Sequence, residues 1–144
     1  MVAVRRLALV LVAALALAAC GSSHKGSSGP DAQAQIKSAY TRFFSSKTSV
    51  DDRVALLQNG ARFKGLVTTF ANNPLAKNVS VAVSSVTLQG ANEAKVVYQV
   101  KFGGTSLPRQ NGTAVRENGT WKVGDASLCK LVALGGTTPS ACKS

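Results

Sequence analysis

Histidine and acidic side chains are scarce in this 144-residue chain. It holds one histidine, His24, and only six Asp and Glu residues. Hydrolytic triads use histidine as their base, so the region after residue 30 lacks the usual centre of such a site. The three cysteines form no CxxC pair, and there is no glycine-rich phosphate loop. These absences disfavour triad enzymes, nucleotide-binding proteins and zinc proteins, and we expect no cofactor and no metal.

The chain also lacks an apolar run long enough to cross a membrane as a helix. Thirteen apolar residues, Leu7 to Ala19, follow Arg5 and Arg6, whereas a spanning helix needs roughly 20. A short apolar run behind a positively charged start is typical of a signal peptide. An uncleaved membrane anchor is the less favoured alternative.

The end of this run, Leu17-Ala18-Ala19-Cys20-Gly21, resembles the lipobox of bacterial lipoproteins. In that motif the cysteine is lipidated on sulfur and becomes the mature N-terminus. We therefore expect residues 1–19 to be a lipoprotein signal peptide and Cys20 to hold the protein on the extracytoplasmic face of the cell membrane, with partial release. The alternative is a plain cleaved signal peptide with an incidental cysteine.

Two cysteines, Cys129 and Cys142, remain for the exported domain. Export places them in an oxidising compartment, where a disulfide persists. The loop of about 14 residues that they would close contributes on the order of 3 kcal/mol. Two free thiols or a metal site are the alternatives, and a metal site would need histidine or further cysteines.

The exported chain is strongly basic. Loss of Arg5 and Arg6 lowers the net charge from +11 to about +9, with 15 basic and 6 acidic side chains. The basic residues are spread without a dense run, which argues against nucleic acid as a partner. Anionic lipid or an acidic cell-wall polymer is the favoured partner of such a surface.

Residues 20–30 are rich in Gly and Ser and predict a flexible tether, followed by one domain over residues 31–144. Apolar residues at spacings of three and four predict a helix from Asp31 to about Ser46. Ser49 is suited to cap a second helix, and Gly60 to end it in a left-handed conformation. A third helix is predicted to stop before Pro74.

From Lys77 the apolar period changes to two, which predicts strands. The parity flips near Ser84-Ser85, as a β-bulge would cause. A second strand is predicted from Glu93 to Phe102, and Asn118-Gly119 predicts a tight hairpin that pairs Arg116 with Trp121 and Ala114 with Val123. A last strand is predicted over residues 125–132. Helices followed by an antiparallel meander indicate an α+β fold, with helices on the concave side of a curved sheet of about four strands.

Several stretches together resemble the low-molecular-weight secreted antigens of mycobacteria. The stretches are Asn59-Gly60, Asn73-Pro74, Val79-Ser-Val-Ala-Val83, Gly119-Thr-Trp-Lys-Val123 and Ala126-Ser-Leu-Cys-Lys-Leu131. The order of the predicted helices adds to the resemblance. The resemblance covers roughly residues 31–135. It implies a cystatin-like roll of the nuclear transport factor two type, export and immunogenicity. It implies no agreed activity and no catalytic residue.

Such a roll often encloses a cone-shaped cavity, and six aromatic residues are candidates to line it, with core packing as the alternative: Phe43, Phe44, Phe63, Phe70, Tyr98 and Trp121. Asp125 follows Trp121 and Val123 at a period of two and would then point towards the cavity. The alternative is a solvated turn residue after Gly124. We expect a non-enzymatic envelope protein that binds a small apolar ligand or a partner protein. A small pocket enzyme that uses Asp125 is the second hypothesis.

Overall fold

Helices come first in the chain and strands follow. The computed structural model describes residues 29–143. Its α-helices are α1 (Gly29–Phe44), α2 (Val50–Ala55), α3 (Lys64–Asn72) and α4 (Asp125–Ala133). Its strands are β1 (Val79–Leu88), β2 (Glu93–Phe102), β3 (Thr105–Ser106), β4 (Gln110–Glu117) and β5 (Thr120–Val123). Short 3-10 helices lie at Gly60–Phe63, Pro74–Asn78 and Ser140–Cys142.

The sheet is antiparallel and curls around α1. Its strand order is β1-β2-β4-β5, with the two-residue β3 paired to β2. Helix α1 packs against both β1 and β5, the two ends of this order. One helix can contact both ends only because the twisted sheet bends around it. The prediction of an α+β fold with a curved antiparallel sheet is confirmed.

Local pairing within the sheet follows the sequence pattern closely. The β1–β2 register shifts between Val83 and Ser85, which confirms the predicted bulge. The β4–β5 hairpin pairs Arg116 with Trp121, as predicted. Asn118 and Gly119 have φ angles of 50° and 79°. Both central residues of this type of tight hairpin turn need a positive φ, which Asn and Gly adopt at low cost.

The helix ends are set by short polar contacts. Ser49 caps α2, because its Oγ accepts a hydrogen bond from the backbone N of Asp52 at 3.1 Å. The prediction for Gly60 was wrong: Asn59 takes the left-handed conformation, with φ of 52°. Gly60 is instead buried, and a Cβ there would collide with the backbone oxygen of Val54.

The segment that follows β5 is the largest departure from prediction. Residues 125–132 were predicted as a strand, but they form helix α4. Leu128 is buried, and Leu131 and Val132 are half-buried, so the apolar positions recur at spacings of three and four. Asp125 lies in the first turn, where the helix dipole favours a carboxylate. The sequence of a short apolar run such as this one is compatible with either a strand or a helix, and only its packing distinguishes the two.

Helix α1 begins at Gly29, two residues before the predicted start of the domain. Gly29 and Pro30 therefore belong to the helix and not to the tether. The predictions for the signal peptide and for Cys20, and that for most of the tether, lie outside the described residues.

Candidate ligand cavity

A cavity of about 560 Å³ lies between the end of α1, α3, the end of β2, and α4. Its walls are mainly apolar. Val67 and Leu66 come from α3, Val100 and Phe102 from β2, and Leu128, Leu131 and Val132 from α4. Its size is within the range of about 300–1,000 Å³ that is usual for small-molecule sites.

The opening of the cavity is marked by two leucines. Leu75 is 69% exposed and Leu134 is 59% exposed, and both also line the cavity. Leu75 belongs to the 3-10 helix that precedes β1, and Leu134 follows α4. Because both leucines are exposed and also line the cavity, the cavity has an apolar entrance and is not a sealed core void.

Half of the predicted aromatic lining residues reach this cavity. Phe43, Phe44 and Phe70 line it. Phe63, Tyr98 and Trp121 do not; each is at most 3% exposed and packs in the core. Tyr98 stacks near Phe44 with ring centroids 6.0 Å apart, so it supports the wall from behind. Phe43 and Phe44 are also buried in the core, so core packing applies to five of the six, and two of those five border the cavity as well.

One wall of the cavity is held by a disulfide. Cys129 of α4 is bonded to Cys142, with 5.6 Å between their Cα atoms, which confirms the predicted pair. The loop that this bond closes contains Leu131, Val132 and Leu134 among the lining residues. Apart from the crosslink, the tail is held by the packing of Ala141 on the core and by a hydrogen bond from Arg62 Nη2 to the oxygen of Lys143. The bond thus limits how far this wall can move.

The other face of α4 is tied to the helix–sheet core by a buried hydroxyl network. Tyr40 Oη donates to the backbone oxygen of Thr113 at 2.7 Å, and Ser127 Oγ lies 3.1 Å from Tyr40 Oη. The backbone N of Thr113 donates to Ser127 Oγ at 2.8 Å. Gly112 makes room for these contacts, since a Cβ there would lie 2.6 Å from Tyr40 Oη and 2.7 Å from Ser127 Oγ. Three elements, α1, β4 and α4, are thereby fixed to one another.

The most unusual residue of the cavity wall is Arg53 of α2. Its side chain lines the cavity, yet the residue is only 2% exposed. Its Nη2 donates to the backbone oxygen of Ser45 at 2.6 Å. Its Cζ lies 5.5 Å from the centre of the Phe70 ring, in a cation–π contact. Its Nε and Nη1 are buried and have no hydrogen-bond partner among the described residues.

No acidic side chain balances this charge. All six Asp and Glu residues lie in the described part of the chain. The ion pairs found there are Lys64 with Asp51 and Lys122 with Glu117, each at 3.0 Å. Burial lowers the pKa of Arg53 from its ordinary value, because the charged form is poorly solvated. A buried cation without a counter-charge costs several kcal/mol, only part of which one hydrogen bond and one ring contact can offset.

The sequence pattern held a signal for Arg53 that the prediction missed. Val50, Arg53 and Leu57 recur at spacings of three and four, so the arginine falls on the apolar face of α2. The segment that follows α2 pairs with β5, since Gln58 N donates to the oxygen of Val123 at 2.9 Å. This pairing holds the short helix against the core with Arg53 on its inner side.

Asp125 does not line the cavity. Its Oδ2 accepts a hydrogen bond from Asn59 Nδ2 at 2.9 Å, near the surface. Its backbone N donates to Gln58 Oε1 at 3.3 Å. The expectation that it points towards the cavity depended on a strand after Gly124, and α4 carries the residue away instead. The carboxylate joins the start of α4 to the loop after α2.

Residues 29–143 include no helix that is both long and apolar enough to span a membrane. Within the same range, no three His, Cys, Asp or Glu side chains are grouped in a way that could hold a metal ion.

One comparison with known proteins agrees with the resemblance found in the sequence. Residues 29–139 match the sequence model of a family described as low molecular weight antigen MTB12, C-terminal domain. The matched range begins with the first residue of α1 and includes every strand and α4. A comparison with curated proteins found no match.

Proposed function

This chain belongs to the low-molecular-weight antigen family, a family of secreted antigens, and from this premise we propose that it is a lipid-anchored, non-enzymatic envelope protein that binds a small apolar ligand. The observation that carries the ligand is the apolar cavity of about 560 Å³ with an open, leucine-lined entrance. Pockets of this size and composition are the usual sites of small-molecule binding.

The composition of the wall supports a binding role over catalysis. The polar side chains among its lining residues are Arg53, Thr69, Asn73 and Thr137. No carboxylate, histidine or free thiol is among the residues that line it, so general acid–base catalysis lacks its usual groups and the threonine hydroxyls have no base beside them to activate a nucleophile. An arginine that is buried and charged can bind and orient a ligand, but it is a poor proton donor or acceptor.

Filling the cavity provides the test of ligand binding. Leu131→Trp places a larger side chain at a half-buried wall position, and Leu88→Trp makes the same change at a half-buried leucine outside the cavity. A neutral fluorescent probe such as N-phenyl-1-naphthylamine should bind the wild type and the Leu88→Trp variant alike. Leu131→Trp should weaken binding by about tenfold or more. Equal binding by all three proteins, or by none, would refute the cavity as the site.

The membrane anchor is proposed from Cys20, which lies outside the described residues. Intact-mass measurement of the exported protein should show a chain that begins at Cys20 and carries the mass of attached lipid. A Cys20→Ala variant should lose the lipid and leave the membrane fraction, while Cys129 and Cys142 remain bonded. An unmodified Cys20 at the mature N-terminus would rule out the anchor without affecting the proposal for the cavity.

A further inference from the structure

We infer that the ligand of this cavity is a single-chain amphiphile with an anionic head group, a carboxylate or a phosphate, that pairs with Arg53. The inference rests on the proposed function and adds the chemical class of the ligand. Its basis is the conjunction of a buried guanidinium and an apolar cavity that this guanidinium lines.

The charge of Arg53 has no acidic partner among the described residues. Every Asp and Glu residue of the sequence lies among the described residues, and none of them forms an ion pair with Arg53. The remaining contacts, the oxygen of Ser45 and the ring of Phe70, carry no negative charge. An anion that enters with an apolar chain would supply the counter-charge and fill the cavity in one step. Arginine is well suited to this role, because its planar group matches carboxylate and phosphate oxygens.

The free hydrogen-bond donors of Arg53 define where the head group would bind. Nη2 is engaged by Ser45, whereas Nε and Nη1 have no partner among residues 29–143. Both atoms are covered in the unliganded form, and the Phe70 ring lies over the guanidinium at 5.5 Å. Phe70 is half-buried and lines the cavity. A rotation of this ring would uncover the donors to a head group inside the cavity, while the apolar chain extends along the α3 and α4 walls towards Leu75 and Leu134.

A panel of ligands that differ only in the head group tests the inference. The protein is the exported Cys20→Ser variant, so that no lipid attached at that position can compete. Dodecanoate, dodecyl phosphate, dodecanol and dodecylamine are titrated below their critical micelle concentrations, by displacement of N-phenyl-1-naphthylamine. The anionic ligands should bind about tenfold or more tightly than dodecanol, and dodecylamine should bind most weakly. The ratio of dodecanoate to dodecyl phosphate affinity distinguishes a fatty acid from a phosphate-bearing lipid as the source of the head group.

Replacement of Arg53 should abolish the preference and leave apolar binding intact. In Arg53→Met and Arg53→Gln, dodecanol should bind as in the wild type, and the anionic ligands should lose their advantage of about tenfold. Arg62→Met is the matched control. Arg62 also lies over a ring, that of Phe63, at 5.8 Å and donates to one backbone oxygen, but it is exposed and outside the cavity. It should retain the preference.

The outcomes separate the two proposals. Equal binding of the anionic, neutral and cationic ligands by the wild type would overturn the inference and leave the apolar site standing. Binding of none of the four would overturn both. A preference for anions that persists in both Arg53 variants would assign the head group to the basic surface of the protein and refute the role of Arg53. Because the wild-type panel can refute the inference by itself, the test does not depend on how the variants fold.

Discussion

Replacement of Arg53 by methionine should make the unliganded protein more stable. The two residues are similar in volume, although methionine is shorter, and methionine adapts well to irregular apolar surroundings. The substitution removes a cation that is 2% exposed and has no acidic partner within the described chain. It also removes the hydrogen bond from Nη2 to the oxygen of Ser45. That oxygen keeps a second donor, the backbone N of Thr48 at 3.2 Å, so it is not left unsatisfied.

Two contributions favour arginine and one opposes it, and the size of the net change is taken from comparable replacements of buried ionic groups. The lost charge-assisted hydrogen bond contributes about 1.5–3 kcal/mol, and the desolvated cation–π contact with Phe70 contributes about 2 kcal/mol. Against them stands the desolvation of the guanidinium, which costs several kcal/mol when two of its three nitrogens lack partners. Replacement of buried ionic groups by apolar ones of similar volume has a precedent range of about 1–4 kcal/mol of stabilisation. We expect the free energy of unfolding to rise by about 1–3 kcal/mol.

Urea denaturation followed by circular dichroism measures this change, with the m-value as a check that the same surface is exposed on unfolding. Arg62→Met serves again as the control and should change the free energy of unfolding by less than about 1 kcal/mol, because its guanidinium is exposed. A loss of about 2 kcal/mol or more in Arg53→Met would refute the reasoning. It would mean that the guanidinium is fully paired in the folded protein and that no ligand charge is needed.

Three further predictions concern the supports of the cavity. Burial raises the pKa of Tyr40 to about 12, above its unfolded value near 10; the stability that Tyr40 contributes should therefore be complete below pH 10 and be lost between pH 10 and 12, by about 2–3 kcal/mol. Burial also raises the pKa of Tyr98, so in Tyr40→Phe the fall in stability, followed by tyrosinate absorbance and circular dichroism, should be smaller but still present. The double variant Cys129→Ser, Cys142→Ser should lose about 3 kcal/mol of stability and bind the neutral probe more weakly, whereas unchanged binding would show that the α4 wall stands without the crosslink. Gly112→Ala should lose about 1–3 kcal/mol in thermal unfolding, since its Cβ would displace Tyr40 Oη and Ser127 Oγ, and an unchanged Tm would contradict the close contact.

Much of the fold was predictable because its signals are local. The bulge at Val83 and Ser85 shows as a parity change within one strand, and Asn118-Gly119 specifies its hairpin through the conformations these two residues tolerate. Ser49 caps α2 because its Oγ accepts a hydrogen bond from the backbone N of Asp52, only three residues further along the chain. Features of this kind need only a few consecutive residues. The signal peptide, the tether and the lipid on Cys20 were read in the same local way, and they stay predictions.

The candidate site was predictable only in part, because its members come from distant segments. Phe43, Phe44 and Phe70 were correctly identified as lining candidates. Periodicity alone does not separate them from Phe63 and Trp121, which also fall at apolar positions of their helix or strand. The difference is whether the residue borders the cavity. One wall of that cavity is α4, a helix that the sequence pattern had suggested was a strand.

By itself, then, the sequence determined the order of the main helices and strands up to β5, the Asn118-Gly119 turn, the disulfide partners and the family to which the chain belongs, since each depends on residue types at short or fixed spacings. Only the tertiary structure decided that a cavity exists and that Arg53 is charged, buried and without a counter-ion beside it. The physical reason is that burial and charge balance are properties of the whole packed chain. If α2 were exposed, the same arginine would be solvated and would give no evidence for a bound anion.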